Sequence, residues 1–356
     1  MEIVLDNIIF SLQKYGGIST YWYELLKRLL ADDTFKSSYI SRTNENVLSK
    51  LLELSEDRVI SGPIKKLILD RFSNPRLSKF NEPFIFHSSY NRYSTNSNAL
   101  NVTTVHDLIH HKFYGGLRSY LHNYQKENSI KNSKAIITVS NNTKNDLLQI
   151  FPWLDQDLIH VIYNGVSADY LILDSPTYTY NMSDEVLNKK YIICVSSREP
   201  YKNFPFVVDV LEKMPDFNLY IVGPTLKVSE ISILNSKIPG RYRSFNSLSN
   251  AQLNELYNHA FGMIYPSSYE GFGIPILEAM RAGCPSVVLN TSSIPEVAGI
   301  ASIMVDSLET SKFIDGFDLI FKGRAQLIEK GLIQSSKFSW DKCYLQTSNL
   351  YKSLHQ

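Results

Sequence analysis

A chain of 356 residues is too long for one ordinary hydrophobic core and suits two domains of about 150 residues each. Hydrophobic residues make up 44% of it and its formal net charge is +1, so it reads as a globular protein with no field strong enough to recruit nucleic acid. Cys194, Cys284 and Cys343 lack CxxC spacing, which argues against a disulfide framework or a zinc site and suits a reducing cytoplasm.

The first residues, MEIVLDNIIF, have no basic start, are interrupted by Asp6 and precede no small-residue cleavage pattern; they predict a first strand, not a signal peptide. No apolar run approaches a membrane span, so any membrane contact is expected to be peripheral. From there short apolar or β-branched runs alternate with helical patterns, as in βαβ units built on parallel sheets. Strands are expected at 2–7, 37–41, 84–88, 102–106, 135–140 and 160–163, and a helix over 18–30. A polar stretch poor in periodic apolar positions follows, with a linker expected at 171–190. A second series begins at 191–196 and continues at 218–222, 261–265, 286–290 and 302–305. This α/β pattern predicts two Rossmann-like, doubly wound domains facing a cleft, residues 1–170 and 191–337. The tail, 338–356, has apolar residues at helical spacing over 338–354 and is expected to pack back on the first domain, burying Trp340.

In such folds ligands bind beyond the carboxyl ends of strands, so the residues just after each strand carry the functional reading. After the first strand, Tyr15-Gly16-Gly17-Ile18 is either a plain glycine turn or a backbone loop approaching a phosphate or an acceptor at the helix start. It is not GxGxxG, which weakens a nicotinamide dehydrogenase reading. Residues 64–80, IKKLILDRFSNPRLSKF, combine Lys65, Lys66, Arg71, Arg76 and Lys79 with apolar residues. That pattern fits an ordinary amphipathic helix interrupted near Pro75, or a peripheral contact with an anionic membrane surface. TTVHDLIHH places His106 and Asp107 at a strand end, where a histidine with no matching ligand set or nucleophile elbow suits hydrogen bonding to a sugar better than metal or triad chemistry.

In the second domain, SREPYKNF puts Arg198 and Lys202 after a strand, where cations can neutralise a leaving diphosphate; either one alone reads more plainly as a surface charge. FNSLS, 245–249, offers a loop for a nucleotide base. The stretch YEGFGIPILEAMRAG, 269–283, follows a strand with two glycines, then Pro275 at a helix start and Gly283 at its cap. Its amides suit phosphate, and Glu270 and Glu278 flank them as acceptors for sugar and ribose hydroxyls. By itself the stretch also reads as a glycine turn with a carboxylate serving only the helix dipole.

YGGI, TVHDLI, AIITVSNNTKNDL, VIYNGVS, SREPYKNF and above all EGFGIPILEAMRAGCPSV with SSIPEVAG after it resemble the retaining glycosyltransferases of family 4, which have the GT-B fold. The resemblance covers most of the chain, and the spacing of Glu270 and Glu278 is the family's most specific signature. It implies that Arg198 and Lys202 clamp the diphosphate, Glu278 binds ribose, Glu270 lies near the donor sugar and His106 contacts a sugar hydroxyl. Gly271, Phe272, Gly273 and Ile274, with Gly16 and Gly17, are then donor-binding. Tyr201 stands where many members carry arginine before the lysine, and Arg198 stands four residues ahead of Lys202. The pattern is closest to bacterial surface-polysaccharide mannosyltransferases, which implies GDP-mannose as donor, a glycan or lipid-linked glycan acceptor at the inner face of the cytoplasmic membrane, no nucleic acid, and neither cofactor nor metal. The rival readings are a dinucleotide-dependent oxidoreductase and a non-catalytic two-domain sugar-binding protein.

Overall fold

The computed structural model describes residues 1–60, 70–173 and 182–355 and divides into two units, Met1–Gly165 with Trp340–Gln356, and Val166–Ser339. The first unit is built on a parallel sheet with strand order β3-β2-β1-β4-β5-β6-β7. Its strands are β1 (Glu2–Asp6), β2 (Lys36–Ile40), β3 (Val59–Ile60), β4 (Phe84–Ser88), β5 (Ala99–Val105), β6 (Ala135–Thr138) and β7 (Ile159–Val161). The second unit repeats the plan, β10-β9-β8-β11-β12-β13, all parallel, with β8 (Tyr191–Val195), β9 (Asn218–Val222), β10 (Tyr242–Phe245), β11 (Gly262–Tyr265), β12 (Ser286–Leu289) and β13 (Ile303–Val305). In each unit the chain winds outward one way from the first strand and then the other, which is the doubly wound Rossmann topology. Helices cover both faces, so the central strands are buried on both sides and read as apolar runs such as FIF and YIICV.

In the first unit α1 (Ile9–Leu12) and α2 (Gly17–Leu30) follow β1, and α3 (Ile109–Lys112), α4 (Gly116–Lys131) and α5 (Asn141–Ile150) come later. In the second, α6 (Asp184–Leu187), α7 (Phe204–Glu212), α8 (Val228–Lys237), α9 (Asn250–His259), α10 (Ile274–Arg281), α11 (Ile294–Ala298) and α12 (Thr310–Ser335) alternate with the strands. The last helix, α13 (Trp340–Leu354), belongs to the first unit and lies along α2. Its Trp340, Leu350 and Tyr351 are buried, the Tyr351 hydroxyl meets His87 Nδ1 at 2.5 Å, and Arg28 Nε donates to Asp341 at 2.7 Å.

The described part of the expected linker is anchored to the second unit. The Leu171 and Leu173 amides donate to the side chains of Asn254 and Asn258 on α9 at 3.0 and 2.9 Å. The Tyr220 hydroxyl donates to the Val186 carbonyl at 2.6 Å. Backbone groups of a stretch that looks like linker in the sequence are therefore satisfied by side chains of a neighbouring helix and strand.

At the carboxyl end of β1 a buried ion pair fixes the first unit. Arg92 grips both Asp6 carboxylate oxygens, Nε at 2.7 Å and Nη2 at 2.6 Å, while Nη1 donates to the Asp70 carbonyl at 2.8 Å. Ser88 Oγ donates to the same carboxylate at 2.7 Å, so β1, β4 and the loop beyond β4 are tied at one point. Removing one partner of such a pair leaves the other charge buried and uncompensated. Arg92→Met is expected to destabilise the first unit by about 3–5 kcal/mol in urea unfolding; a loss below about 1 kcal/mol contradicts this role.

Candidate active site

The topological switch point of the second unit lies between β8 and β11, which pair directly. The loop leaving β8 turns through Pro200–Lys202 and enters α7 at Asn203, a non-glycine residue in the left-handed region at φ 53°. That conformation is held because Asn203 Nδ2 donates to the Pro266 carbonyl at 2.8 Å and to Ser268 Oγ at 2.7 Å, stitching the β8 loop to the β11 loop. The Ser268 amide donates back to the Tyr201 carbonyl at 2.8 Å. Lys202 and Glu270 consequently meet, Nζ to Oε1 at 2.5 Å, with side chains only 12% and 9% exposed.

Glu270 is held from three further sides. Tyr265, the last residue of β11, hydrogen-bonds its carboxylate; burial first and that carboxylate second hold the phenol well above its ordinary range, so it stays a donor. The Glu270 amide donates to Ser292 Oγ at 2.9 Å, and Ser293 Oγ donates to the carbonyls of Glu270 and Phe272 at 3.0 and 2.9 Å. Gly273 then adopts φ 114° as the residue before α10, a conformation a side chain would strain, and Pro275 stands in the first turn. Gly271 and Phe272 are buried within this loop, the Phe272 ring lies against Phe338, and Ile274 opens the helix. The first amides of α10 thus start from a loop that carries Glu270 at one end, beside Lys202: a cation, a carboxylate and a helix N-terminus converge on the switch point, an arrangement suited to a phosphorylated ligand.

Glu278 lies in the fifth position of α10. Burial pushes its carboxyl up to about 7, with the hydroxyls of Tyr170 and Tyr257 pulling in the opposite direction; the Tyr257 hydroxyl is 3.3 Å from Oε2. Arg198 departs from the expected clamp. Its side chain is buried, Nε donates to Glu230 Oε2 at 3.1 Å, and Nη2 donates to the carbonyls of Pro224 and, at 3.1 Å, Thr225. Its fork is committed to the loop after β9, and it does not join Lys202.

Gly16, Gly17 and His106 belong to the first unit. Gly16 precedes α2 in extended backbone, its carbonyl accepting from Ser19 Oγ at 2.8 Å, and Gly17 opens the helix with clear space around it. His106 follows β5 with its ring edge-on to Tyr21, centroids 4.8 Å apart. Burial lowers its pKa to about 4, with Lys126 adding to the effect and Asp107 opposing it; the imidazole is neutral near pH 7 and suits hydrogen bonding more than proton donation. Among the described residues no group of three His, Cys, Asp or Glu is placed to hold a metal ion.

Nothing in residue type marks Tyr265, Asn203, Ser292 and Ser293 as parts of the site in the sequence. Their one signal is position: each stands at the end of a strand or in the loop after it.

Residues 15–170 match Glycosyltransferase Family 4 and residues 181–331 match Glycosyl transferases group 1. The chain belongs to the family 4 glycosyltransferases. It is 29% identical over 241 residues to O-antigen chain mannosyltransferase B of Escherichia coli, covering 64% of this chain and 62% of that relative. It is 27% identical over 213 residues to O-antigen chain mannosyltransferase RfbU of Salmonella typhimurium, covering 57% and 56%. The matched regions thus span less than two thirds of either relative. Among solved structures, sucrose-phosphate synthase from Thermosynechococcus elongatus superposes with TM-score 0.77 at 16% identity over 99% of this chain and 98% of that one. Anabaena HepE in complex with UDP and glucose gives TM-score 0.77 at 16% identity over 99% and 100%. These similarities establish the two-domain α/β GT-B fold of this glycosyltransferase.

The raised Glu278 carboxyl has a consequence for stability. In the unfolded chain it ionises near the ordinary 4.5, in the fold near 7, so its contribution is fully present below 4.5 and is lost as pH rises through 7. Glu278→Gln is neutral throughout. Its Tm relative to wild type is expected to climb between those two pH values by a few degrees and then level off, in calorimetric scans at a series of pH values. A difference that stays flat across the window contradicts the assignment.

Proposed function

We propose that this glycosyltransferase transfers mannose from GDP-mannose to a growing, lipid-linked surface glycan with retention of configuration, and that it does so without a metal. The observation that carries the reading is the Lys202–Glu270 pair beside the first turn of α10. The names of the O-antigen mannosyltransferases to which the chain is similar support the choice of sugar.

The Lys202 ammonium and the first amides of α10 receive the diphosphate, the group on which negative charge develops as the glycosidic bond breaks. A diphosphate near Lys202 competes with Glu270 for the ammonium, leaving the carboxylate, still held by Tyr265, to accept hydrogen bonds from the transferred sugar. The acceptor hydroxyl oxygen bonds to the anomeric carbon on the face from which the diphosphate leaves. The C–O electron pair departs with the diphosphate, and the acceptor proton passes to a departing phosphate oxygen. Glu270 orients the sugar for that step, and Glu278 binds ribose hydroxyls equally in ground and transition states. Arg198 supports the loop after β9 and contributes only indirectly.

Two variants separate these roles. Glu278→Ala is expected to weaken GDP binding in calorimetry about tenfold or more. Glu270→Gln is expected to keep or improve GDP affinity, since Lys202 loses its competitor, while turnover of saturating GDP-mannose falls by about two to three orders of magnitude. If Glu270→Gln loses GDP affinity as badly as Glu278→Ala, or turns over normally, the division is wrong. Proton NMR of the product anomeric centre tests retention, an α-linked mannose being expected from the α-linked donor.

A further inference from the structure

A pocket of about 1240 Å³ opens in the first unit at the carboxyl ends of β1, β2 and β3, the end of the sheet at which doubly wound domains bind ligands. It exceeds the roughly 300–1,000 Å³ that one small molecule needs, and has room for several sugar rings. Three loops wall it, and each is fixed. Residues 10–14, beyond β1, are tied to residues 41–46, beyond β2, by the buried Asn46: its Nδ2 donates to the Gln13 carbonyl at 2.7 Å, and its Oδ1 accepts from the Leu48 and Ser49 amides at 2.9 and 3.0 Å. The third wall, 73–79, bends at Leu77, a non-glycine residue at φ 52°. A leucine stays in that region only when its surroundings hold it, and here Asn96 Nδ2 donates to the carbonyls of Leu77 and Phe80 at 2.8 and 2.9 Å.

Seven charged side chains line the pocket, five cations and two carboxylates. Both carboxylates are taken: Glu45 by Lys14 Nζ at 2.8 Å, Asp70 by Arg42 Nε at 2.7 Å and Arg92 Nη1 at 3.3 Å. The remaining cations, Arg76 and Lys79, are exposed and have no carboxylate partner among the described residues; residues 61–69, just ahead in the chain, contain no Asp or Glu. Ser11 Oγ and Gln13 Oε1, in the first wall, are buried without a hydrogen-bond partner among the described residues, and sugar hydroxyls can supply one.

We propose, resting on the transfer reaction proposed above, that this pocket receives the acceptor and that the acceptor is anionic: Arg76 and Lys79 hold a phosphate or carboxylate that the glycan carries. Charge selects this ligand. A neutral glycan calls for carboxylate acceptors, and both in the pocket are already engaged by cations, whereas two unpaired cations call for an anion. The anion has two possible sources, an acidic sugar within the glycan or the diphosphate that links a glycan to its lipid. The basic segment 64–80 read from the sequence accordingly divides. Lys65 and Lys66 lie outside the described residues, Arg71 turns inward with its guanidinium on the Tyr90 hydroxyl, and Arg76 and Lys79 line the pocket.

The test is calorimetry of the full chain with three soluble acceptors: mannotriose, mannotriose bearing one glucuronate, and mannotriose on a short prenyl diphosphate. At least one of the two anionic acceptors is expected to bind about tenfold or more tightly than mannotriose, and the one that does so names the source of the anion. The advantage is expected to shrink as salt is raised. Arg76→Gln/Lys79→Gln is expected to erase it at an unchanged Tm, with GDP and mannotriose bound as by wild type, and Arg76→Lys/Lys79→Arg, which keeps both charges, to retain most of it. Equal binding of all three acceptors by wild type, or an advantage that survives Arg76→Gln/Lys79→Gln, overturns the proposal. So does inorganic pyrophosphate that binds as tightly as the anionic acceptors and is lost in that variant, since the pocket would then read an anion without its glycan. Each of these measurements is made without donor, so a failure here is distinct from a failure of transfer from GDP-mannose.

Discussion

A lysine ammonium and a carboxylate held at 2.5 Å, both nearly withdrawn from water, sit where β8 and β11 part company. Desolvating two charges is costly, and such a pair is weak evidence of stability by itself. Its neighbours explain how it is kept: the Tyr265 hydroxyl on the carboxylate, Asn203 linking the two loops, and Ser293 across the carbonyls of Glu270 and Phe272. The left-handed turns at Asn203 and Gly273 follow from the same constraint, because both loops must bend sharply for Lys202 and Glu270 to meet. A structure that retains a desolvated ion pair at a switch point, beside a helix N-terminus, keeps charge in place for a charged ligand.

Much of this fold is legible in the sequence because parallel strands buried on both faces are written as uninterrupted apolar runs. Phe84–Ser88 and Asn218–Val222 coincide with their expected bounds, and most other strands shift by a residue or two. What the sequence does not reveal lies at the edges. Val59–Ile60 is only two residues long, and Tyr242–Phe245 is half-buried throughout, with arginine and serine breaking its apolar character. Neither carries the signal of a central strand. The polar stretch after Ser167 looks like linker because its partners, Asn254 and Asn258, are more than eighty residues away in the chain.

The site divides along the same line. Glycine and proline mark a backbone conformation directly, so the turn into α10 can be read from letters alone. Lys202 and Glu270 stand after strands that are themselves visible. Arg198 illustrates the limit: in sequence it is a cation in a strand-end loop, and only the fold brings Glu230 and two carbonyls to its guanidinium. Helix α4 is the converse case. Its apolar residues have helical spacing, which ordinarily means a core face, yet the fold buries the polar face because Asp107, His110, Thr103 and Tyr90 present hydrogen-bonding groups there.

The transfer proposed for this enzyme depends on the donor diphosphate being received at the switch point of the second unit. A crystal structure of the protein grown with GDP addresses that most directly. Phosphate oxygens are expected within about 3 Å of Lys202 Nζ and of the first amides of α10, with the Lys202–Glu270 contact lengthened. Phosphates bound elsewhere, with Lys202 still closed on Glu270, would contradict it.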